Sequence, residues 1–399
     1  MKIFSCAVSV CVTVLMLSHF SIIAQTSDHD TLEIVNWNLE FFGDNNSNLP
    51  AEMTKTRTIM NALNADIYAL TEIVNTDSLK SLTQSLNGYN YLVSPFGSFA
   101  SSPSSSQYKS AQKLAFVYRS SVVRNVSGRA LLRTSSSAYN YWASGRFPYL
   151  VSAEVLGKDN QWRQFQFVII HAKANSDYSS CFRRYAGALE LKDTLDTYFA
   201  NDRIILLGDF NDDLDVSICA SFTESNYAEF VKDSIDGNSY KALTLPLSLN
   251  GVSSIAGYPG FIDHVLVSNE VASFYIPGSA AMLEDKVTSW VSSYTSDVSD
   301  HYPVLTKYVM DQATPVQNIY DEPSVSIYPV PAKNVLFIKM KDQQFETYEI
   351  FSFNGRRCGG GKFVGNLTEI ALNLFASGTY FITISGNGEN GAMVFTVIK

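Results

Sequence analysis

Several patterns that mark common enzyme classes are missing from this sequence of 399 residues. No Gly-x-Ser-x-Gly turn is present to expose a serine nucleophile, and no glycine-rich loop is present to bind phosphates. The cysteines and histidines lack the spacing of a structural zinc site. No run after the amino-terminal segment is apolar enough to cross a bilayer. These absences argue against serine-hydrolase, P-loop and zinc-finger chemistry and against an internal membrane span.

Cysteine is scarce, with five residues in the whole chain. Cys6 and Cys11 fall in residues 1–24, where a lysine, an apolar run and a final small residue predict a secretory signal peptide. An uncleaved anchor is the alternative, although the apolar run is short for a membrane span. Export leads to an oxidising compartment, so Cys181 and Cys219 are the preferred disulfide pair. Thiols that form no disulfide are the other interpretation, and spacing does not choose between them.

Charged residues are few, at 17% of the chain, whereas hydrophobic residues make up 46%, which predicts a packed globular protein. The formal net charge of −9 argues against a protein that coats nucleic acid. Residues 109–192 differ from the rest, because they hold thirteen basic and four acidic side chains. A basic middle suits a polyanionic substrate, and Arg183 and Arg184 favour one. The alternative is that these residues scatter over several faces.

Strand-like runs alternate with a few helical patterns up to about residue 310, which predicts a sheet-based α/β domain over 28–310. Residues 311–323 contain two prolines and no periodicity and are predicted to be a linker. Short strand-like runs with turn residues over 324–399 predict a small all-β sandwich. The serine-rich stretch 98–106 is interpreted as a mobile surface loop. The predicted strands cover 31–43, 66–73, 113–119, 149–156, 162–174, 203–210, 261–268 and 301–309, and the predicted helices cover 51–65 and 184–199.

Polar side chains recur where the apolar strands of the first domain end, and we expect them to share one edge of the sheet. They are Asn38, Glu40, Glu72, His171, Asp209, Asn211, Asp263, Asp300 and His301. Cleaving a phosphodiester requires a cation against phosphate charge, a base to activate water, and hydrogen-bond donors around the transition state. This set contains acids and amides suited to a Mg²⁺-like ion, and two histidines. Asp212 and Asp213 are interpreted as surface loop residues.

The motifs WNLEFFG, LTEI, IIHAKAN, GDFND, IDHVLVS and SDHYPV occur in this order over roughly residues 30–310. Together they resemble the endonuclease/exonuclease/phosphatase superfamily, which includes deoxyribonucleases, apurinic-site endonucleases, sphingomyelinases and inositol-polyphosphate phosphatases. The resemblance implies a four-layer αββα sandwich with two packed sheets, and a Mg²⁺ cofactor with Mn²⁺ or Ca²⁺ as alternatives. It implies metal binding by Asn38, Glu40, Glu72 and Asp300.

The resemblance also assigns catalytic roles. Asp209 and Asn211 resemble the pair that orients the attacking water, with Asn211 also contacting the phosphate. His301 resembles the catalytic histidine, paired with Asp263. His171 resembles the histidine that donates to a phosphate oxygen.

Two further positions enter through the same resemblance. Arg146, in GRFPYLV, resembles an arginine that some extracellular nucleases place on the DNA backbone. Gln112 stands where deoxyribonuclease-type members often have a glutamate that pairs with the first histidine. An amide can hold that imidazole but cannot stabilise an imidazolium by charge, which leaves His171 as a neutral donor.

The carboxyl-terminal motifs SIYPVPAKNVLFIKM, YEIFSFNGRR and LFASGTYFITIS, with the short basic end VIK, resemble a type IX secretion sorting domain. This implies a small, immunoglobulin-like sandwich that the secretion machinery recognises, and a secreted or cell-surface location. A β-sandwich that binds carbohydrate or a protein partner is the alternative.

The leading functional hypothesis is a secreted metal-dependent phosphodiesterase, an endonuclease acting on DNA or RNA as a monomer. A phosphatase or sphingomyelinase-type phosphodiesterase of the same fold is the alternative, with SPFGSFA (94–100) as a weak candidate for membrane contact. A catalytically inactive surface adhesin is the alternative of a different class.

Overall fold

The computed structural model divides into two compact units, Met1–Gln312 and Ala313–Lys399. The residues that it describes are 31–44, 48–100, 102–233, 239–311, 325–328, 332–340, 345–352, 356–363, 365–386 and 389–398. The predicted signal peptide lies outside the described residues, and so does the predicted linker except for Asp311.

The first unit is built on two six-stranded sheets. The strands in chain order are β1 Leu32–Phe42, β2 Ile67–Ile73, β3 Tyr89–Gly97, β4 Lys113–Arg119, β5 Val123–Ala130, β6 Tyr149–Leu156, β7 Trp162–His171, β8 Ile204–Asp209, β9 Tyr240–Ala242, β10 Asp263–Ser268, β11 Ala281–Met282 and β12 Val304–Tyr308. The first sheet has the order β11-β12-β1-β2-β4-β3, and the second has the order β5-β6-β7-β8-β10-β9. Both sheets are mixed, because β1 pairs with β2 and β7 pairs with β8 in parallel, whereas the other pairs are antiparallel.

The α-helices of the described residues pack around these sheets, most of them on the outer faces. They are α1 Leu49–Leu63, α2 Thr76–Gln84, α3 Ala138–Tyr141, α4 Tyr178–Tyr198, α5 Ala228–Val231, α6 Leu245–Leu249, α7 Asn269–Ala272, α8 Glu284–Trp290 and α9 Tyr294–Asp297. None of the helices in the described part of the chain is long and apolar enough to span a membrane. The 21-residue helix α4 begins where the side chain of Asp177 accepts a hydrogen bond from the backbone N–H of Ser180, an N-cap that fixes its first turn.

Alternation along the central strands creates three apolar cores. Side chains such as Ile34 and Phe167 point into the core between the two sheets. Their neighbours Val35 and Val168 point outward, into cores shared with α1, α2 and α8 on one side and with α4 on the other. The layers are therefore helix, sheet, sheet, helix, which confirms the predicted αββα sandwich.

Asn36 and Gly208 shape the core near the edge of the sheets at which β7 and β8 end. Asn36, on the buried β1, donates from Nδ2 to the carbonyl oxygens of Gly208 at 2.9 Å and His264 at 3.4 Å, which ties the two sheets together. Gly208 has φ +144°, and a Cβ placed there would lie 1.9 Å from the carbonyl oxygen of Ile170. The close approach of β7 and β8 at this level therefore requires glycine.

Several predicted boundaries were wrong. The strands β3 and β5 were not predicted, because both lie at sheet edges, and β5 carries exposed polar residues instead of an apolar alternation. The strand predicted over 162–174 ends at His171, and helix α4 begins six residues before its predicted start. The run 301–309 forms strand only from Val304 onwards.

The second unit is all-β, as predicted. Its strands are β13 Val325–Tyr328, β14 Val335–Met340, β15 Thr347–Ser352, β16 Arg357–Lys362, β17 Leu367–Ala371, β18 Gly378–Gly386 and β19 Glu389–Val397. They form a three-stranded sheet, β13-β14-β17, and a four-stranded sheet, β16-β15-β18-β19. Leu336 and Ile338 of the first sheet share one core with Ile350 and Ile382 of the second, as in a small sandwich.

Candidate active site

The predicted polar residues meet at one edge of the paired sheets. Asn38 and Glu72 come from β1 and β2 of the first sheet, and His171 and Asp209 end β7 and β8 of the second. The expectation that every member closes a strand was wrong, because Asp263 begins β10 and Asp300 and His301 precede β12. These two strands run antiparallel to their neighbours, so their amino ends reach the edge at which the parallel strands end.

Strained backbone turns the acidic side chains of the first sheet toward this edge. Glu40, Phe41 and Glu72 have φ values of 40°, 54° and 59°, a region that non-glycine residues rarely occupy. The strand pairing is irregular at the same places, between Asn38 and Phe42 and around Glu72. Such bulges re-aim side chains beside functional sites, and the structure around them must hold the strain.

Asn38 bridges the carboxylates at the centre. Its Nδ2 donates to Glu72 Oε1 at 3.2 Å and to Asp209 Oδ2 at 3.0 Å, and it lies 3.4 Å from His301 Nε2. Its Oδ1 accepts a hydrogen bond from the backbone N–H of Glu40 at 2.9 Å. The amide nitrogen, not the oxygen, therefore faces the acids, and metal binding by Asn38 stays a prediction.

Gln112 and Arg146 support the site in a way that the sequence did not predict. Gln112 donates from Nε2 to Glu72 Oε2 at 2.6 Å, and its Oε1 accepts from the guanidinium of Arg146. Gln112 therefore holds Glu72, not His171. Arg146 is buried and also donates to the carbonyl oxygens of His171 and Ala172, both at 2.7 Å. These bonds hold its guanidinium inside the protein, and contact between Arg146 and a substrate phosphate stays a prediction.

His171 is buried beside two carboxylates of the site. Its Nε2 lies 3.4 Å from Asp209 Oδ2 and 3.6 Å from Glu72 Oε1, and its Nδ1 has no partner among the described residues. Burial, followed by the charges of Arg146 and His301, holds the pKa of His171 well below its usual value. A lowered pKa favours the neutral imidazole, which carries one N–H, and the role of His171 as a donor stays a prediction.

Asp209 lies between the two histidines. Its Oδ1 accepts from the backbone N–H of Asn211 at 2.8 Å, and Asn211 Nδ2 donates to the carbonyl of Ala172 at 3.3 Å. Burial, followed by the charge of Asp263, raises the pKa of Asp209 above its usual value. The chain therefore confines negative charge here at an energetic cost.

His301 is oriented by a carboxylate. Its Nδ1 lies 2.7 Å from Oδ2 of the fully buried Asp263, and its Nε2 lies 4.0 Å from Asp209 Oδ2. Burial alone would lower the pKa of His301, but the charges of Asp263, Asp209 and Asp300 outweigh it and raise the pKa to about 10. An imidazole fixed in this way can hold a proton at Nδ1 and exchange another at Nε2.

Glu40 and Asp300 lie at the outer side of the cluster. Glu40 Oε2 accepts from the backbone N–H of Asp300 at 2.8 Å, and Asp300 Oδ1 lies 3.8 Å from His301 Nε2. Burial, followed by Asp300, raises the pKa of Glu40. The structure thus brings both predicted metal-side acids to the rim, outside the contacts among Glu72, His171 and Asp209.

The residues present fit a divalent cation. Two groups place their ligand atoms within 4.8 Å of one another, one formed by Glu72, His171 and Asp209 and the other by Asp209, Asp263 and His301. Buried carboxylates that repel each other gain from a cation between them, and their hard oxygens suit Mg²⁺.

The prediction that Asp212 and Asp213 are surface residues was wrong, since both are buried. Asp212 accepts from the backbone N–H of Ile218 and of Asn226, both at 2.7 Å. Asp213 Oδ2 accepts from the N–H of Phe261 at 2.9 Å. These carboxylates hold the loop after Asp209 against its neighbours, a role that sequence spacing does not distinguish from solvation.

Ser299 is a positioning residue that sequence reasoning missed. Its Oγ donates to the carbonyl of Asn38 at 2.7 Å and accepts from the N–H of His301 at 3.0 Å. The hydroxyl thus links β1 of the first sheet to the backbone of His301. Its place two residues before His301 is the signal that could have indicated it.

The basic middle does not form one surface. Of its thirteen basic residues, three are buried, namely Lys113, Arg146 and Arg184, and Arg119, Arg124, Arg163 and Lys192 form ion pairs with other described residues. The structure therefore favours the alternative of scattered charges. Arg184 holds backbone carbonyls instead of facing a polyanion.

Residues 35–301, which contain this site, match the model of the Endonuclease/Exonuclease/phosphatase family. The chain belongs to the endonuclease/exonuclease/phosphatase family. Members of this family hydrolyse phosphodiesters or phosphomonoesters and typically use divalent metals, which places the chain among phosphoester hydrolases. Residues 326–398 match the Secretion system C-terminal sorting domain, so this family member is exported to a secreted or cell-surface location.

Solved structures similar to this chain include three that illustrate the range of relatives. The human Nocturnin catalytic domain with bound sulfate has 17% sequence identity and a TM-score of 0.49, and the match covers 71% of this chain and 95% of the Nocturnin chain. The endonuclease/exonuclease/phosphatase from Beutenbergia cavernae has 13% sequence identity and a TM-score of 0.49, and the match covers 92% of this chain and 100% of the other. A mannosyl-6-phosphatase from Bacteroides thetaiotaomicron has 16% sequence identity and a TM-score of 0.45, and the match covers 70% of this chain and 100% of the other. None of the curated proteins matches the chain.

Proposed function

We propose that this family member is a secreted, divalent-metal-dependent phosphodiesterase that cleaves nucleic acid as an endonuclease. The observation that carries the proposal is the buried placement of Asp209 between a neutral histidine, His171, and a carboxylate-oriented histidine, His301. Phosphoryl transfer needs a positioned water, a proton acceptor and donors to the phosphate in one place. This cluster supplies all three.

In the proposed mechanism, each side chain acts at a defined atom. Asp209, with Asn211 beside it, positions the attacking water for in-line displacement. His301, held at Nδ1 by Asp263, gives the proton at Nε2 to the leaving oxygen, and the carboxylate of Asp209 accepts the proton of the attacking water. His171 donates its one N–H to a non-bridging phosphate oxygen.

Glu72 is the residue proposed to hold the cation, and the bond from Gln112 Nε2 at 2.6 Å fixes the orientation of its carboxylate. A divalent cation bound there supplies neutralisation of the charge that develops on the phosphate. Glu40 and Asp300, at the rim, are proposed to bind the same ion or a second one.

A lipid-directed phosphodiesterase is the second candidate, and Phe99 is the observation that favours it. This residue lies in the predicted membrane-contact stretch 94–100, and 66% of it is exposed. One exposed ring gives little membrane affinity compared with an amphipathic helix or a lipid anchor, so nucleic acid remains the leading substrate class.

The experiment compares full-length wild type with His301→Ala and Asp209→Ala on supercoiled plasmid, with Mg²⁺ and with EDTA. We expect nicking by the wild type that EDTA abolishes, and a loss of at least about 100-fold in each variant, because proton transfer and water positioning contribute this much. Asp215→Ala is the matched control, since Asp215 is an exposed aspartate on the same loop.

Full nicking by His301→Ala or Asp209→Ala would contradict the proposed site. Absence of nicking by wild type that still binds Mg²⁺ would instead direct the search to phospholipid and sugar-phosphate substrates. Absence of any Mg²⁺ or Mn²⁺ binding, measured by calorimetry, would support an inactive adhesin.

A further inference from the structure

Five aromatic rings form a continuous cluster at the surface near the amino end of α4. Their centroids are 6.5 Å apart for Tyr141 and Phe182, 6.4 Å for Phe182 and Tyr178, 6.0 Å for Tyr178 and Phe222, and 6.0 Å for Phe222 and Tyr185. The rings of Tyr178 and Phe182 are stacked, with an interplanar angle of 19°. We refer to these five residues as the aromatic platform.

Two rings of the platform, Tyr178 and Phe182, are exposed, and the other three are half-buried. Tyr178 is 63% exposed and Phe182 is 44% exposed, although either ring could contribute 150–250 Å² of burial, roughly, in a core. Of the five platform residues, Tyr141 packs against the apolar core between the second sheet and α4. Contiguous exposed aromatic surface of this kind marks a binding site more often than chance exposure of single rings.

A disulfide fixes the two parts of the platform to each other. Cys181, on α4 between Tyr178 and Phe182, is bonded to Cys219, three residues before Phe222, as the preferred pairing predicted. The disulfide therefore joins the two segments that carry the rings.

Arg184 extends this support to the loop that follows His171. Its guanidinium donates to the carbonyl oxygens of Lys173 and Asn175, both at 2.7 Å, and lies 2.9 Å from the Sγ of Cys219. Tyr178 follows His171 by seven positions, so even a fully extended chain would place them at most about 25 Å apart. The platform is thus held within a few nucleotides of the candidate active site.

Two cationic side chains accompany the rings. Arg183 lies between Phe182 and Arg184 on α4, donates from Nε to the carbonyl of Asn140 at 2.7 Å, and has a buried Nη2 without a partner among the described residues. Lys173 follows His171 by two residues, and its carbonyl accepts a hydrogen bond at 2.7 Å from Arg184, the residue after Arg183. Cations between a phosphodiesterase site and a stacking surface complement a phosphate backbone.

We propose that the aromatic platform binds unpaired bases of a single-stranded nucleic acid whose neighbouring phosphate lies in the active site. Every base has a flat π-face, so stacking on Tyr178 and Phe182 is independent of sequence, while Arg183 and Lys173 attract the backbone. The inference rests on the proposed function and specifies its substrate as a strand with exposed bases. Sugar rings also stack on aromatic residues, but a neutral polysaccharide gains nothing from the two cations.

The test uses the full-length chain and a fluorescein-labelled dodecathymidylate, with binding measured by anisotropy in EDTA so that no cleavage occurs. We expect Tyr178→Ala/Phe182→Ala to bind at least about fivefold more weakly, because each base–aromatic stack contributes that much or more. The matched control is Tyr198→Ala, which removes a similarly exposed tyrosine from the other end of α4, about 30 Å away along the helix.

A second measurement compares cleavage of the oligonucleotide with cleavage of bis(4-nitrophenyl) phosphate, which is too small to reach the platform from the active site. We expect the ratio of the two kcat/KM values to fall at least about fivefold in Tyr178→Ala/Phe182→Ala, through KM. Unchanged oligonucleotide binding in this variant would overturn the inference, and so would an equal loss of binding in Tyr198→Ala. Weaker binding by the variant, with a wild type that cleaves neither substrate, would support the platform while refuting the proposed function.

Discussion

Replacement of Gly208 by alanine tests how the close approach of β7 and β8 builds the site. Gly208 pairs with Ile170 on one side and with His264 on the other, so its strand cannot move freely in either direction. A Cβ at this position would lie 1.9 Å from the Ile170 carbonyl oxygen and 2.8 Å from its carbonyl carbon. Ordinary van der Waals contact is 3.4–4 Å, so the strands must separate by more than 1 Å, roughly, to admit it.

The expected cost has two parts. Holding a non-glycine residue at φ +144° costs about 1–3 kcal/mol, and overpacking between the strands costs about 1–3 kcal/mol more. We therefore expect Gly208→Ala to lose about 2–6 kcal/mol of unfolding free energy. His171 and Asp209 pair in the next register position, so the same separation moves them apart. A displacement of about 1 Å in a catalytic group lowers activity about 100-fold.

Urea denaturation followed by circular dichroism measures the first effect, and plasmid nicking measures the second. Gly251→Ala is the matched control, because Gly251 also has positive φ, +67°, but no atom lies within 4 Å of the point that its Cβ would occupy. We expect this control to lose only about 1–2 kcal/mol, the intrinsic cost of the left-handed conformation. Equal losses in the two variants, or a Gly208→Ala protein with wild-type activity, would refute the argument from strand separation.

Two further predictions concern groups behind the site. Burial lowers the pKa of His264 to about 4, so protonation favours the unfolded chain, and stability present above pH 6.5 is lost as the pH falls toward 4. The shift in pKa corresponds to about 3 kcal/mol of unfolding free energy. We expect the unfolding free energy of His264→Gln, measured by urea denaturation, to lack this part of the pH dependence of the wild type. Parallel plots of unfolding free energy against pH for the two proteins would contradict this prediction. The disulfide between Cys181 and Cys219 spans 38 residues, for which loop entropy predicts about 4 kcal/mol. Cys181→Ser/Cys219→Ser should therefore unfold at lower urea than the oxidised wild type and near the reduced wild type, and a midpoint equal to that of the oxidised protein would count against this reasoning.

The central strands could be predicted from the sequence because burial on both faces leaves near-continuous apolar runs. The stretch IILLGD of β8 is of this kind, and it was predicted to within one residue at each end. The edge strand β5 could not be predicted, since VRNVSGRA is stabilised by pairing with β6 and not by an apolar face. The local pattern of apolar residues predicts which side chains are buried, but it does not predict which strands pair. Edge strands depend on that pairing.

The candidate site shows the same division. Short side chains at strand ends, such as Asp209 and Asp263, lie where the strand places them, so their convergence follows from the topology that the motifs indicate. Long side chains reach away from their own backbone. Arg146 was predicted to contact a substrate, but it donates to carbonyl oxygens inside the protein. Gln112 was predicted to lie beside His171, but it donates to Glu72. Such contacts depend on tertiary distances that spacing in the sequence does not contain.

The distance along the chain between Asn38 and His301 has a consequence for biosynthesis. These residues are 263 positions apart, and β1 acquires its antiparallel neighbour β12 only after nearly the whole catalytic unit has been made. A polypeptide that ends before residue 301 therefore contains no Asp263–His301 pair next to Glu72, however well its early strands have folded. Errors of translation that stop synthesis before this point yield fragments without the complete site.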